Sequence, residues 1–224
     1  MYTWYRGREI KKKFLVFVKI AKFADTLKDI RNDESIPKFA TNLVYITRAD
    51  RCTDVESKIL YSIINKQPKR ADKYWFIHLN IVDDPKKLGY TVETLIPDIL
   101  FRIEFQVGFK IQPRINLFFR QVIEDLVASQ QLDLVSNYVS LRKHNIIGDF
   151  RFVVIERIQN YDFDFQPIDQ FFMDIYKFIK KIGISDQKAF GLDTSNVIVE
   201  KVPLESEEIL TKFKKLNKIK RIGE

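Results

Sequence analysis

The sequence predicts an α/β fold, with an α+β arrangement as the alternative, built on a mixed β-sheet of about five or six strands flanked by helices. Apolar, β-branched runs alternate with segments of helical periodicity, as in layered α/β proteins. Hydrophobic residues make up 46% of the 224 positions, which is enough for a packed core. Seven Gly and seven Pro are too few for a collagen-like or low-complexity chain.

The first element is a long amphipathic helix predicted over residues 3–30. Its apolar positions recur at helical spacing, and lysines occupy the positions between them. Pro37 and the polar residues before it mark the end of this segment. We therefore divide the chain into a basic linker helix (1–32), a globular domain (36–203) and a charged C-terminal helix or tail (204–224).

Three strands are predicted in the first half of the globular domain. Residues 43–47 and 74–82 are continuous apolar runs, typical of buried strands. Residues 99–107 alternate at period two, which predicts a half-exposed strand. Between the first two strands, Thr53 and Glu56 have the spacing of a capping box, which predicts a helix from there to Asn65.

The second half contains two predicted helices and three strand-like runs. A helix is predicted over residues 115–129, and another begins at Pro167 and ends at Gly183. The strand-like runs are residues 134–141, 152–158 and 196–202. Residues 161–165 are predicted to lie in a long loop of the globular domain.

The net charge of +8 lies at the two ends of the chain. Residues 1–31 carry +6 and residues 201–224 carry +3, which leaves the middle at −1. A nucleic-acid-binding domain is expected to carry a basic stripe on its folded body, so no nucleic-acid partner is predicted. Basic ends fit either a segment close to an anionic membrane surface or solvated terminal helices.

No motif for catalysis is present. The chain has no Gly-rich phosphate loop and no Gly-x-Ser-x-Gly motif. Cys52 is the only cysteine, and the two histidines lie in different settings, His78 in an apolar strand and His144 in a polar segment. We predict no enzyme activity, no metal site and no cofactor.

The best candidate for a binding site is Arg48, Asp50 and Arg51, between the end of a predicted strand and the start of a predicted helix. In open α/β sheets ligands bind at this place, and peptide N–H groups and the helix dipole favour anions there. The guanidinium fork suits a phosphate because it donates two hydrogen bonds at once. A loop with two solvated arginines is the simpler alternative.

The chain resembles the Kup (KUP/HAK/KT) potassium uptake permeases in six ordered pieces. The first is residues 3–9, with Trp4, Gly7 and Arg8, similar to the membrane exit of the last transmembrane helix. Residues 36–47 and 75–85 follow in the family's order. The remaining pieces are the set Arg102, Gly108, Phe109 and Pro113, the pair Tyr138 and Arg142, and residues 189–200.

The resemblance implies the C-terminal domain of a potassium–proton symporter, on the cytoplasmic side of the cell membrane. Its first partner would be the transmembrane part of the same transporter. The basic residues would then lie against the anionic inner membrane surface, as the positive-inside rule requires. These residues are Arg6, Arg8, Lys11, Lys12 and Lys13.

Two functions follow from the resemblance. Family members from low-GC Gram-positive bacteria are regulated by cyclic di-AMP, so the domain is expected to be a homodimer that binds this dinucleotide and inhibits potassium import. Its ligand residues would be Arg48, Asp50 and Arg51, then Tyr138 with Arg142. The alternative is a ligand-independent module for dimerisation and assembly of the transporter.

Overall fold

A six-stranded mixed β-sheet with helices on both faces forms the centre of the molecule, in agreement with the predicted α/β class. The computed structural model describes residues 16–130, 132, 139–144, 148–158 and 197–203. The strands are β1 (Phe17–Lys19), β2 (Lys38–Thr47), β3 (Asp54–Glu56), β4 (Arg70–Val82), β5 (Leu88–Ile96), β6 (Leu100–Gly108), β7 (Phe150–Ile158) and β8 (Val197–Pro203). The helices are α1 (Ala24–Asn32), α2 (Ser57–Leu60, continued as a π-helix over Tyr61–Lys66), α3 (Ile115–Ala128) and α4 (Val139–Arg142).

The strand order in the sheet is β5-β6-β4-β2-β7-β8. Every neighbouring pair is parallel except β5 and β6, which form an antiparallel pair at one edge. The chain starts the sheet at β2, moves to β4 and β6 on one side, and returns to β7 on the other. The strand order therefore reverses beside β2, as in doubly wound folds.

The sheet is buried on both faces, which explains the continuous apolar runs of β2 and β4. On one face, α3 covers a cluster that includes Trp75, Phe101 and Phe119, with Trp75 stacked on Phe101 at 4.8 Å between ring centroids. On the other face, α1 and α2 cover a cluster that includes Leu27, Ile59 and Tyr74. β6 lies inside this sandwich and is buried along most of its length, so its predicted half-exposure is wrong.

The N-terminal segment differs from the single helix predicted over residues 3–30. Its described part begins with β1, turns through a 3₁₀-helix (Ile20–Phe23) and becomes helical in α1. β1 pairs antiparallel with β3, and the Ile20 N–H donates to the Thr53 carbonyl at 2.9 Å. This pairing satisfies the backbone of residues 17–19 in extended form, which their helical spacing could not reveal. Residues 1–15 lie outside the described residues.

Two other local predictions differ from the structure. β5 was not predicted, because Gly89 and the polar residues Thr91, Glu93 and Thr94 give an edge strand the composition of a loop. The predicted strand over residues 134–141 is wrong for its described end, which is α4. The loop at 161–165, the helix from Pro167 and the tail from 204 lie outside the described residues.

Candidate functional site

The loop of residues 48–53 that follows β2, called the β2 loop below, lies at the carboxyl edge of the sheet. β2 lies between β4 and β7, where the strand order reverses. Such a reversal opens a crevice outside the carboxyl ends of the strands, where ligands bind in open α/β sheets. The structure therefore brings the predicted residues Arg48, Asp50 and Arg51 together at the position that the fold offers to a ligand.

The buried guanidinium of Arg102 holds the backbone of the β2 loop. Arg102 lies in β6 and is only 3% exposed. Its Nη2 donates to the carbonyls of Ala49 at 2.8 Å and Asp50 at 3.1 Å, and its Nη1 donates to the Arg51 carbonyl at 2.5 Å. Three consecutive carbonyls are thus held by one planar group, which a lysine ammonium could not match because its donors radiate from one atom.

Two further contacts fix the start of the β2 loop. The Arg48 N–H donates to Glu56 Oε1 at 2.7 Å, and the Ala49 N–H donates to Thr47 Oγ1 at 3.1 Å. Glu56 is buried, and its Oε2 forms an ion pair with Lys58 Nζ at 2.7 Å. The loop is therefore held by side chains from β6 and β3, in addition to Thr47 at the end of β2.

The predicted capping box at Thr53 and Glu56 is wrong. Thr53 Oγ1 donates to Asp54 Oδ1 at 3.2 Å, and the Glu56 carboxylate binds the β2 loop instead of a helix N-terminus. Helix α2 begins only at Ser57, because residues 54–56 form β3 and pair with β1. Tertiary pairing therefore moved the helix start by about one turn.

The side chains of Arg48, Asp50 and Arg51 are exposed. Among the described residues, neither Arg48 nor Arg51 has a hydrogen bond or ion pair through its guanidinium. Asp50 Oδ1 lies 3.7 Å from Nε2 of His78, whose Nδ1 is 3.4 Å from the Thr47 carbonyl. A rigid backbone that carries two solvent-facing guanidiniums can receive an anion without first breaking internal ion pairs of those two arginines.

The second predicted pair, Tyr138 and Arg142, is only partly described. Tyr138 lies outside the described residues, and Arg142 is exposed at the end of the short helix α4. No hydrogen bond or ion pair between described residues joins Arg142 to the β2 loop. The role of this pair in ligand binding stays a prediction.

A buried polar cluster between α2 and β8 was missed by sequence reasoning. Lys69 Nζ is fully buried and lies 3.1 Å from Glu200 Oε1, and it also donates to the Ser62 carbonyl. Ser62 Oγ donates to Glu200 Oε2 at 2.6 Å and accepts from the Tyr45 hydroxyl at 2.9 Å. Burial lowers the pKa of Lys69, although the Glu200 carboxylate opposes that shift. Lys69 follows Pro68 and precedes Arg70, a setting that sequence patterns assign to a solvated turn.

Two tyrosines enclose this cluster. The Tyr74 hydroxyl donates to the Lys69 carbonyl at 2.8 Å, and burial raises the pKa of Tyr74 to about 12. Burial also raises the pKa of Tyr45 well above its usual value. Both phenols are therefore neutral donors at physiological pH, and the cluster fastens β8 to the helical layer rather than presenting a reactive group.

An open cavity of about 330 Å³ lies between β5 and α3. Its walls include Leu88, Phe105 and Phe118, and its rim carries Glu124 and Asp125. The Tyr90 hydroxyl donates to Asp125 Oδ2 at 2.9 Å across the cavity, and this hydrogen bond raises the pKa of Tyr90. The cavity is far along the sheet from the β2 loop, since β4 and β6 separate β5 from β2.

The described residues contain neither a candidate membrane span nor a candidate metal site. No helix among them is long and apolar enough to cross a membrane. No group of three or more His, Cys, Asp or Glu side chains in the same residues could hold a metal ion.

Comparison with known proteins identifies relatives over most of the chain. The protein called "Probable potassium transport system protein Kup" from Cytophaga hutchinsonii is 50% identical over 204 residues, which is 91% of this chain and 31% of that protein. The proteins of the same name from Flavobacterium psychrophilum and Clostridium perfringens are 46% and 36% identical, again over 91% of this chain and 31% of their own length. No solved structure matches the chain significantly.

The chain spans about a third of the length of these relatives. The family model described as "K+ potassium transporter C-terminal domain" matches residues 40–205, from the third residue of β2 to beyond the end of β8. This range contains the β2 loop, Arg102 and the Lys69–Glu200 cluster. The chain therefore belongs to the Kup family of potassium transporters and corresponds to their C-terminal domain.

Proposed function

We propose that this chain is the cytosolic regulatory domain of a Kup-type potassium–proton symporter, and that it binds cyclic di-AMP to inhibit potassium import. The relatives that match it are named potassium transport system proteins and are about three times as long, so transport itself would belong to the rest of such a protein. A regulatory domain acts by binding a ligand differently in two states of the transporter. The proposal therefore needs a ligand site and a route from that site to the membrane.

The proposal rests on the position and the contacts of the β2 loop. It lies at the reversal of strand order, and its two exposed guanidiniums rise from a backbone that Arg102 and Glu56 hold in place. Cyclic di-AMP carries two phosphodiester groups, and arginine is the side chain best suited to phosphate oxygens. A loop that is already ordered loses little conformational entropy when it binds.

In the proposed protein, the contact between β1 and β3 would supply the route from the ligand site toward the membrane. β3 follows the β2 loop directly, and it pairs with β1 in the N-terminal segment. The Ser57 N–H donates to the Val16 carbonyl at 2.9 Å, which adds a contact at the start of β1. In the proposed protein, residues before β1 lead to the transmembrane part, and the basic set that begins at Arg6 lies against the inner membrane surface. A displacement of the β2 loop would then pull on the linker through β3 and β1.

Substitution of both arginines tests the ligand site. In the variant Arg48→Ala/Arg51→Ala we expect at least a tenfold loss of cyclic di-AMP affinity, because each lost charge-assisted hydrogen bond costs about 1.5–3 kcal/mol. Isothermal titration calorimetry on the 224-residue chain measures the affinity, and circular dichroism checks the fold.

The matched control is Arg114→Ala/Arg120→Ala, which removes the same charge from two exposed positions, one just before α3 and one within it. We expect it to bind as the unsubstituted chain does. Equal affinity in both double variants would exclude the β2 loop as the site. Failure of the unsubstituted chain to bind cyclic di-AMP would contradict the proposed ligand.

A second candidate function, ligand-independent dimerisation and assembly, is favoured by the cavity between β5 and α3. Leu88 is 50% exposed and Tyr90 is 41% exposed there, on the strand that ends the described sheet. A second copy of this chain is the partner that fits, because two antiparallel β5 strands related by a two-fold axis would continue the sheet and cover both apolar faces.

Light scattering distinguishes the two functions. Ligand-independent assembly predicts a dimer by multi-angle light scattering with and without cyclic di-AMP, and a monomer after Leu88→Glu, which puts a charge into the apolar face. The regulatory function predicts that the nucleotide changes either the mass or the thermal stability of the chain. A monomer that is indifferent to Leu88→Glu would contradict assembly through β5.

A further inference from the structure

The cavity between β5 and α3 is large enough for an aromatic side chain and is lined by rings. Its volume of about 330 Å³ exceeds the roughly 150 Å³ in which a protein interior holds a benzene molecule. Phe105 and Phe118 both line it, as a tilted pair with ring centroids 5.9 Å apart. Leu88, on the edge strand, adds an apolar wall that is 50% exposed. A ring that entered from outside would therefore contact apolar atoms and cover Leu88.

The rim of the same cavity is acidic. Glu124 and Asp125 contribute two carboxylates, and none of the described residues that line the cavity is basic. Asp125 Oδ2 accepts from the Tyr90 hydroxyl at 2.9 Å, which leaves the carboxylate charge in place. Glu124 Oε1 lies 2.9 Å from Arg120 Nε, but both side chains are largely exposed, and such pairs contribute little stability. The cavity therefore favours an occupant that carries both an apolar ring and positive charge.

The C-terminal segment of this chain, residues 204–224, has that composition. These residues lie outside the described part of the chain, and their sequence predicts a charged helix or tail. Ile209, Phe213 and Leu216 are four and three positions apart, which is the spacing of one helix face. From residue 209 to residue 223 no residue is acidic, and the basic ones are Lys212, Lys214, Lys215, Lys218, Lys220 and Arg221. The segment is thus a basic, amphipathic complement to an aromatic cavity with an acidic rim.

The sheet places the start of this segment and the cavity at the same edge. β8 runs parallel to β7 and ends at Pro203, so the chain leaves β8 at the carboxyl edge of the sheet. β5 runs antiparallel to β6, and Leu88 at its start lies opposite Val107, near the end of β6. The distance from β8 to β5 is about 24 Å, at about 4.8 Å between neighbouring strands. Residues 204–212 span up to about 30 Å when extended, which brings Phe213 within reach of the cavity.

We propose that residues 209–216 dock in this cavity of their own molecule, with Phe213 as the anchor. In the docked form the Phe213 ring packs against Phe105 and Phe118, and the neighbouring lysines face Glu124 and Asp125. The segment then covers the exposed apolar surface of an edge strand, a surface that would otherwise invite pairing with another chain. A docked segment and a second copy at β5 exclude each other, since both need the same surface. The inference goes beyond the proposed function, because docking needs no nucleotide.

Removal of the Phe213 ring tests the contact. In the full 224-residue chain, Phe213→Ala should shift the ¹⁵N–¹H signals of residues 88–90 and 121–125, because a ring that packs there changes their magnetic environment. Ile222→Ala is the matched control, since residue 222 lies about two and a half helical turns after Phe213 and so on the opposite face. We expect Ile222→Ala to leave those signals unchanged.

A spin label on the segment distinguishes docking within one molecule from docking between two. The label is attached at Asn217→Cys, in a full-length chain that also carries Cys52→Ser. We expect relaxation enhancement at the amides of residues 88–90 and 121–125 when one chain carries both ¹⁵N and the spin label. A mixture of the ¹⁵N-labelled unsubstituted chain with a spin-labelled ¹⁴N chain should show no enhancement at those amides.

Charge reversal at the rim tests the electrostatic contribution to docking. Glu124→Lys removes a carboxylate and adds a cation that repels the lysines of the segment, so the enhancement at residues 88–90 should fall at least twofold. Glu34→Lys is the matched control, because Glu34 is an exposed acid between α1 and β2 and does not line the cavity. It should leave the enhancement unchanged.

The same measurements show which partner occupies the cavity. Shifts in Phe213→Ala, with enhancement confined to the sample in which one chain carries both labels, support docking within the molecule. Enhancement in the mixture alone means that a second copy occupies the cavity, which overturns the inference, as does undiminished enhancement in Glu124→Lys. Absence of enhancement at the cavity overturns it too, and loss of the signals of residues 209–216 on phosphatidylglycerol vesicles would then assign the segment to an anionic membrane surface. Every one of these outcomes is read without cyclic di-AMP, so the inference and the proposed function can each fail while the other stands.

Discussion

Lys69 is a charged residue in a fully buried environment. Its ammonium is fully buried, and Glu200 and the carbonyl of Ser62 surround it. Removing two charges from water costs several kcal/mol per ion, which close pairing and additional hydrogen bonds must offset. The pair therefore adds little net stability, but each member depends strongly on the other.

Removal of one partner of this pair should be far more damaging than removal of both. In Lys69→Met the Glu200 carboxylate keeps its Ser62 hydrogen bond but, within the described part of the chain, has only Lys66, at 3.9 Å, as a cation. We expect the free energy of unfolding to fall by about 3–5 kcal/mol, and the double variant Lys69→Met/Glu200→Met to recover part of that loss. Urea unfolding followed by fluorescence measures both.

An exposed ion pair serves as the control for Lys69. Lys28 Nζ lies 3.1 Å from Asp25 Oδ1 on the surface of α1, where such pairs contribute about 0–1 kcal/mol. Lys28→Met should therefore leave the urea midpoint nearly unchanged. A loss in Lys69→Met no larger than that in Lys28→Met would show that the buried pair does not hold β8 to α2.

At the scale of elements, the end of β6 is joined tightly to the turn that follows β4. The Gly108 N–H donates to the Lys87 carbonyl at 2.7 Å, and the Lys110 N–H donates to the Pro85 carbonyl at 3.3 Å. A Cβ at position 108 would lie 2.6 Å from the Pro85 carbonyl group, which is backbone and cannot move aside as a side chain could. This close approach explains in physical terms why position 108, which belongs to the family motif, is a glycine.

Substitution of alanine for each of two glycines in the β5–β6 hairpin should change the free energy of unfolding by different amounts. Gly108→Ala is expected to lower the free energy of unfolding by about 1–3 kcal/mol or more, because the backbones of β6 and the turn must separate. Gly89→Ala has no atom within 4 Å of the new Cβ, so it should be neutral or slightly stabilising. Thermal unfolding of both variants checks the difference, and equal midpoints would contradict the close-approach explanation.

At the scale of the whole molecule, the N-terminal segment is packed on the globular body from β1 onward. Leu27 is 1% exposed and Ile20 is 6% exposed, and both belong to the cluster under α1 and α2. Arg70 Nε also donates to the Arg31 carbonyl at 3.1 Å, which joins the end of α1 to the start of β4. The predicted boundary between a linker (1–32) and a body (36–203) therefore separates residues that share one core.

Leucine-to-alanine substitutions test whether α1 belongs to that core. Leu27→Ala should lower the free energy of unfolding by about 2–5 kcal/mol, as for other buried leucines. Leu117→Ala is the matched control, because Leu117 is 47% exposed in α3, and it should cost much less. If both variants lost the same stability in urea, α1 would be an appended linker rather than a part of the body.

The sequence by itself determined the elements whose signals are local. β2, β4 and α3 were predicted within a few residues, because a buried parallel strand needs a continuous apolar run and a core-facing helix needs an apolar stripe. The position of Arg48, Asp50 and Arg51 after β2 also followed from the order of elements alone. The resemblance to the Kup family was seen in six ordered sequence pieces, and the comparisons confirm the family.

The tertiary structure decided everything that depends on partners distant in sequence. β1 and β3 are strands because they pair with each other. Glu56 accepts a hydrogen bond from the Arg48 N–H in the β2 loop, and for that reason it does not cap a helix as predicted. Arg102 reaches three carbonyls about fifty positions earlier in the chain. Lys69, just before β4, meets Glu200 in β8, although β2 and β7 lie between those two strands in the sheet. Local patterns carry the hydrophobic period of an element, but hydrogen bonds and ion pairs between elements exist only once the sheet is assembled.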